Sequence, residues 1–316
     1  MFDWKWKLRL FASADLVGST AYKQVKATAE WARTFREFFK DFPDAVESAY
    51  NNVPQKCSTC TQKLSPWKFS GDEILFNTQL CDHKEVATHI AAFKHAVVKF
   101  PIAWKQKGVP LGLKATAWIA GFPVGNSELE IGDGLPTDFI GPAIDLGFRI
   151  TQFASERRFI VSADLALLLL DAVHTLECDH DDFRLHLLRR EPLKGVINNK
   201  PYPIVWLDPL DGELDVEEEL LGITRTHKPQ VLAKFLRQFI DDHSPPLLRP
   251  FIEGDGGTKY NAIPQKHLDL RDKMRAEESS RGYSSATAAE AAEGEDVHFK
   301  PPIIHEQATT QSETAE

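Results

Sequence analysis

Phe11-Ala12-Ser13-Ala14-Asp15-Leu16-Val17-Gly18-Ser19-Thr20 decides how this chain is read. From Trp4 to Leu10 apolar residues alternate with basic ones, and the pattern continues through Phe11 to Asp15. It predicts a strand that ends on an acid. Small residues then turn the chain into a helical pattern. The backbone N–H groups of Val17, Gly18, Ser19 and Thr20, with the helix start behind them, can receive a polyphosphate. An aspartate at a strand end is by itself an ordinary turn residue, so Asp15 gains weight only from its surroundings.

Working outward, Ser19 and Thr20 offer N-caps to an amphipathic helix over 21–39, with Val25, Ala29, Ala32, Phe35 and Phe39 on one side and a second helix opening at Pro43. Trp67–Ser70 and Glu73–Phe76 read as strands joined at Gly71-Asp72, a hairpin with an acidic tip. A helix over 84–100, a strand over 111–119 and helical spacing over 138–154 follow. Phe159–Val161 reads as strand and Ser162 as N-cap of the next helix, with Asp164 in its first turn. Strands over 183–188 and 202–206 close the pattern. This order predicts an α+β fold, helices over an antiparallel sheet.

Asp15 and Asp72 thus fall on strand ends that one sheet can make neighbours. Two carboxylates there suit hard divalent ions held together with a triphosphate, because Mg²⁺ favours a few carboxylates plus phosphate oxygens.

Three stretches carry a family resemblance. Phe11 to Thr20 resembles the first metal motif of class III nucleotidyl cyclases, and Lys68-Phe69-Ser70-Gly71-Asp72-Glu73 resembles their second metal hairpin. Asp138-Phe139-Ile140-Gly141-Pro142-Ala143-Ile144-Asp145-Leu146-Gly147-Phe148-Arg149 is similar to their base-reading and arginine helix. Pro192 to Val196 and Tyr202 to Trp206 resemble the closing strands. The resemblance implies a ferredoxin-like cyclase domain over 1–210 that converts a nucleoside triphosphate to its 3′,5′-cyclic monophosphate and pyrophosphate. Asp15 and Asp72, with the Leu16 carbonyl, would bind two Mg²⁺ or Mn²⁺ ions. Arg149 would neutralise charge developing on the α-phosphate, although its spacing from Asp145 also suits a surface ion pair. Asp145 stands where the family usually has Asn, and an ionised carboxylate accepts a ribose hydrogen bond but cannot donate one. The family forms head-to-tail dimers, so the resemblance implies a homodimer with sites shared between chains.

Lys68 and Asp138 match the family's adenine-reading pair and imply ATP. The free-standing architecture and the Trp-rich first strand resemble a narrower branch, the pyrimidine cyclases of bacterial Pycsar antiphage defence. That branch implies UTP as substrate, with CTP and ATP open as alternatives, cUMP as a second messenger in antiviral defence and a cyclic-nucleotide-responsive effector protein as partner. The rival reading, at which Asp145 hints, is a cyclase-like module that binds nucleotide or a partner without catalysis. Tyr50 is a candidate base contact that could exclude a purine and touch a pyrimidine edge, or else a core aromatic one turn from Val46.

Cys57, Cys60, Cys81 and His83 flank the outer ends of the hairpin strands, a pattern that permits a structural Zn²⁺ site. With four cysteines and no export signal at the N-terminus, a disulfide framework is not expected, and Cys178 reads as structural. A helix over 229–242 reads as a C-terminal extension spanning 211–243.

Charge separates the remainder. The 316 residues hold 37 basic and 46 acidic side chains, a formal charge of −9. The stretch 277–316 carries −7 of it, from nine acids and two bases. A boundary near Ser244-Pro245-Pro246 therefore opens an expected disordered acidic tail over 244–316. The acidic balance argues against nucleic acid as partner, and no apolar run reaches the roughly 20 residues of a membrane helix. The expected location is the cytoplasm.

Overall fold

The computed structural model describes residues 5–130, 132, 137–209, 220, 228–256 and 260–277. Residues 1–271 form one compact unit; of the second unit, 272–316, the described residues 272–277 are helical.

The first half runs β1 (Lys7–Val17), α1 (Ser19–Val25), α2 (Thr28–Ala49), β2 (Ser65–Ser70), β3 (Glu73–Leu80), α3 (Glu85–Gln106) and β4 (Gly112–Phe122). Then come β5 (Ser127–Leu129), β6 (Asp138–Ile140), α4 (Pro142–Ile150), β7 (Phe159–Val161), α5 (Ala163–Leu176), β8 (Leu185–Pro192), β9 (Pro201–Leu207) and α6 (Pro229–Asp242). The sheet order is β2-β3-β1-β4-β7-β9-β8, with β5 and β6 as a separate pair. Within β2-β3-β1-β4 every pairing is antiparallel, the ferredoxin-like βαββαβ arrangement. Only β4 and β7 pair in parallel among the described strands. The α+β expectation is met.

Alternation along β1 divides the two faces. Leu8, Leu10, Ala12, Ala14 and Leu16 enter the main core with α2, α3 and α5, whereas Phe11 joins Leu75, Trp118, Phe122, Phe139 and Ile144 in a smaller cluster under α4. Asp15 shares the parity of Phe11, so it lies on the α4 face.

The helix after Asp15 departs from expectation. The chain breaks at Lys26, Val25 is 78% exposed, and α2 begins at Thr28 and runs through Pro43. The stripe Phe35, Phe38, Phe42 and Val46 is buried instead of the 25–39 one. Its aromatic packing carries the helix past a proline that ordinarily costs about 3 kcal/mol in a helix interior.

The C-terminal boundary also moves. Phe251, Ile252 and Tyr260 are buried, and Ile252 N–H donates to the Tyr260 carbonyl at 2.9 Å. The polar, Pro/Gly-rich composition hides these large side chains, whose burial anchors the segment against the domain. Part of the tail expected to be disordered from 244 is therefore folded; 278–316 and most of 211–227 lie outside the described residues. α6 buries Leu236, Phe239 and Ile240, and Phe239 meets the Tyr202 ring at 5.7 Å. None of the described helices is long and apolar enough to cross a membrane.

Candidate functional site

The register of β1 builds an acidic cleft. Asp15 pairs with Glu73 of β3 on one side and with Lys114 of β4 on the other. Asp72 stands in the turn between β2 and β3, and its carbonyl accepts Leu16 N–H at 3.2 Å, locking the hairpin tip to the end of β1. Gly18 takes φ +83°, a left-handed turn that suits glycine, and swings the chain into α1. Ser19 Oγ then donates to Asp72 Oδ2. Asp15, Leu16, Val17, Gly18, Ser19, Thr20, Asp72 and Lys114 line one open cleft of about 820 Å³.

Electrostatics fit this cleft to a cation. Burial raises the Asp15 pKa above its ordinary value; Lys114, 2.7 Å from Oδ2, pulls it back, and the nearby charge of Asp72 pushes it up again. Glu73 is raised chiefly by burial, against a hydrogen bond from Ser13. Crowded, partly desolvated carboxylates gain from a bound cation, and this all-oxygen donor set suits Mg²⁺ or Mn²⁺.

The α4 helix is built differently. Asn126 accepts Ala143 N–H through its side-chain oxygen at 3.0 Å, capping the first turn after Gly141. Gly147 lets the helix lie on Trp118: a Cβ there would fall 2.3 Å from the indole. This seating leaves Asp145 and Arg149 exposed. Among the described residues no ion pair joins them, so the surface-pair alternative is not realised. Both line a second cavity of about 550 Å³, shared with Asn126, Asp164, Lys194 and His267 and with none of the cleft's residues.

Lys68 and Asp138 are brought together across β2 and β6, with Nζ 3.0 Å from Oδ2. Trp67 holds the two segments in place by donating Nε1–H to the Thr137 carbonyl at 3.1 Å.

Two groups of expected site residues are placed elsewhere. Tyr50 is buried; its hydroxyl accepts Leu64 N–H at 2.9 Å and lies 2.7 Å from His89 Nδ1. Burial pushes the His89 pKa down to about 3, so a neutral ring is bonded to the Tyr50 hydroxyl through Nδ1. The core alternative is the one realised, and no polar edge of Tyr50 is left for a base. The zinc cluster is not assembled. Cys57 is turned into the core and joined to Cys178 by a disulfide, Cys60 is half-buried, Cys81 is exposed, and His83 turns to Asp255. The short helical turn at Gln55–Cys57 directs the Cys57 thiol inward, toward the end of α5 rather than toward its sequence neighbours.

Lys114, Glu73 and Lys194 were not among the expected site residues. Lys114 had a signal, a charge in an otherwise apolar alternation. Glu73 and Lys194 lay within quoted motifs but acquire meaning only through strand register and through the turn after β8.

No family model matches the chain, and no curated protein sequence does. Solved structures are similar in shape. The adenylyl cyclase CyaB of P. aeruginosa superposes with TM-score 0.49 at 13% identity, covering 67% of this chain and 98% of that one. The guanylate cyclase domain of RhGC from Catenaria anguillulae, in complex with GTP, gives TM-score 0.46 at 13% identity, covering 64% and 97%. The guanylyl cyclase Cya2 gives 0.45 at 17%, covering 67% and 96%.

Proposed function

We propose that this chain is a class III nucleotidyl cyclase that closes a nucleoside triphosphate to its 3′,5′-cyclic monophosphate, releasing pyrophosphate, and that it works as a head-to-tail homodimer. One observation carries the proposal: the acidic cleft and the Asp145–Arg149 cavity are both built, yet they share no lining residue within a chain. Two chains facing each other complete two equivalent sites.

Asp15 and Asp72 hold the cations, with Glu73 and Lys114 tuning the charge around Asp15. Bound divalent cations supply activation of the ribose 3′-hydroxyl and neutralisation of the triphosphate. The Val17–Thr20 turn lines the same cleft, where its backbone N–H groups can receive phosphate oxygens. The 3′-oxygen attacks the α-phosphorus, and the bond from that phosphorus to the bridging oxygen breaks with pyrophosphate as leaving group. Arg149 of the facing chain supplies a fixed cation for the charge that develops, and Lys194 adds a second in the same cavity. Asp145 accepts a ribose hydroxyl.

UTP is the leading substrate, through the resemblance to the pyrimidine branch. The Lys68–Asp138 pair favours ATP as a second reading. Purified protein incubated separately with UTP, CTP, ATP and GTP plus Mn²⁺, with products identified by mass spectrometry, decides. Cyclic UMP supports the first reading and cyclic AMP the second; no cyclic product from any triphosphate overturns the cyclase proposal.

A further inference from the structure

Between β3 and α3 the chain turns through Asp82 and His83, and the folded C-terminal segment brings Asp255 against this turn. His83 is 2% exposed and Asp255 is 0% exposed. The His83 Nδ1 atom lies 3.0 Å from Asp255 Oδ1 and 3.3 Å from Asp82 Oδ1. His83 N–H also donates to Asp255 Oδ1 at 3.0 Å, while Asp82 accepts Lys84 N–H at 2.8 Å and pairs with Lys84 Nζ at 3.3 Å. The second oxygen of Asp255 is buried with no hydrogen-bond partner, a costly state for a carboxylate.

The other edge of the ring fixes its tautomer. Thr175 Oγ1 donates its single proton to the Asp171 carbonyl at 2.8 Å, so at 3.3 Å from His83 Nε2 it can only accept. Nε2 therefore carries a hydrogen, and a cation that displaces the Nδ1 proton would meet the Nδ1 lone pair beside Asp255 Oδ1 and Asp82 Oδ1. One ligand atom from each of Asp82, His83 and Asp255 lies within 4.8 Å of the other two. Ligands about 2.0–2.2 Å from a common ion stand roughly 3 Å apart, close to the two distances from Nδ1 to the carboxylate oxygens. A metal-bound histidine usually donates its other ring N–H to an acceptor that fixes the ring, the place Thr175 Oγ1 takes here.

We propose that Asp82, His83 and Asp255 bind a divalent first-row transition-metal ion through one imidazole nitrogen and carboxylate oxygens, fastening the C-terminal segment to the outer end of the hairpin that carries Asp72. The mixed nitrogen and oxygen donors favour such an ion over Mg²⁺. The site is separate from the catalytic cleft and independent of the cyclase reading.

The test uses the full chain carrying Asp15→Asn and Asp72→Asn, which removes the two carboxylates proposed to hold the cleft's cations, stripped with chelator and titrated with Co²⁺. One Co²⁺ per chain, with visible absorption bands of nitrogen and oxygen ligation and a rise in melting temperature that Mg²⁺ does not give, is the expected result. Adding His83→Gln abolishes it. Adding Asp82→Asn, at a partly exposed position that leaves the buried pair intact, weakens binding about tenfold or more. No cobalt absorption, a thiolate charge-transfer band placing the ion on Cys60 or Cys81, or affinity unchanged in both added variants overturns the proposal.

Discussion

The two halves of the candidate site are finished to different degrees. In the acidic cleft every key group has a partner in its own chain: Asp15 has Lys114, Asp72 has Ser19, and Glu73 has Ser13. On α4, Asp145 and Arg149 are exposed and unpaired among the described residues. A cleft whose carboxylates are each held by a partner in the same chain can wait for cations without collapsing. On the proposed reading, the unpaired arginine on α4 would offer its donor fork to a phosphate held by the facing chain. The contrast is the one expected if the chain works as one half of the reciprocal pair proposed above.

The largest test of that contrast mixes defects. Asp72→Ala alone should lower cyclase activity by about 10³-fold or more, since metal-supplied charge stabilisation is worth several kcal/mol. Arg149→Ala alone should cost about 10²–10³-fold. Mixed in equal amounts and allowed to exchange, half the dimers pair one defect with the other, and each such dimer keeps one intact site. About a quarter of the wild-type rate should return. No recovery from verified heterodimers would show that each chain works alone.

Gly147 tests how α4 is held. In an exposed helix Gly→Ala gains roughly 1 kcal/mol. Here the added methyl would enter the Trp118 indole, so Gly147→Ala should instead destabilise by about 1–3 kcal/mol, read from chemical denaturation, and lower activity as Arg149 shifts. A stabilised variant would mean that α4 is not seated on Trp118.

The comparison also explains what could be read beforehand. The cleft was legible because it follows local rules: alternation places Asp15, a Gly-Asp turn places Asp72, and their strand order brings the two together. Asp145 and Arg149 were legible as spacing, but their freedom from each other was not, since rotamer and surroundings decide it. The base-contact reading of Tyr50 and the zinc reading of Cys57, Cys60, Cys81 and His83 failed for a shared reason. Their sequence neighbourhood put them near the hairpin, while tertiary packing turned Tyr50 to His89 and Cys57 to Cys178, a residue 121 positions away. The 25–39 stripe failed because a break at Lys26 reset the helical phase, which periodicity alone does not register.

A smaller effect separates the halves by pH. In the α4 cavity, burial pushes Asp164 up to about 6, against hydrogen bonds from Ser162 and Leu165 that favour its charge. The folded state therefore holds this proton where the unfolded chain has lost it, and stability falls as pH rises from about 4 to about 6. Asp164→Asn should flatten that slope in urea titrations run at several pH values. An unchanged slope would move the titration to the cleft, where Asp15 and Glu73 are raised in the same sense.

The smallest stability effect belongs to Lys68 and Asp138, whose pair is 48% and 28% exposed. An ion pair this open is worth less than about 1 kcal/mol, so Lys68→Ala should leave the melting temperature within a few degrees of wild type. Its effect on base choice is separable from that. If the pair reads the base, the variant should lose preference among triphosphates while keeping its rate with the poorest one, because binding to phosphates and cations lies elsewhere. If it only ties β2 to β6, all triphosphates should slow by the same factor. Ratios of kcat/KM across the four triphosphates, compared with the ratios for wild type, distinguish a specificity contact from a structural strut.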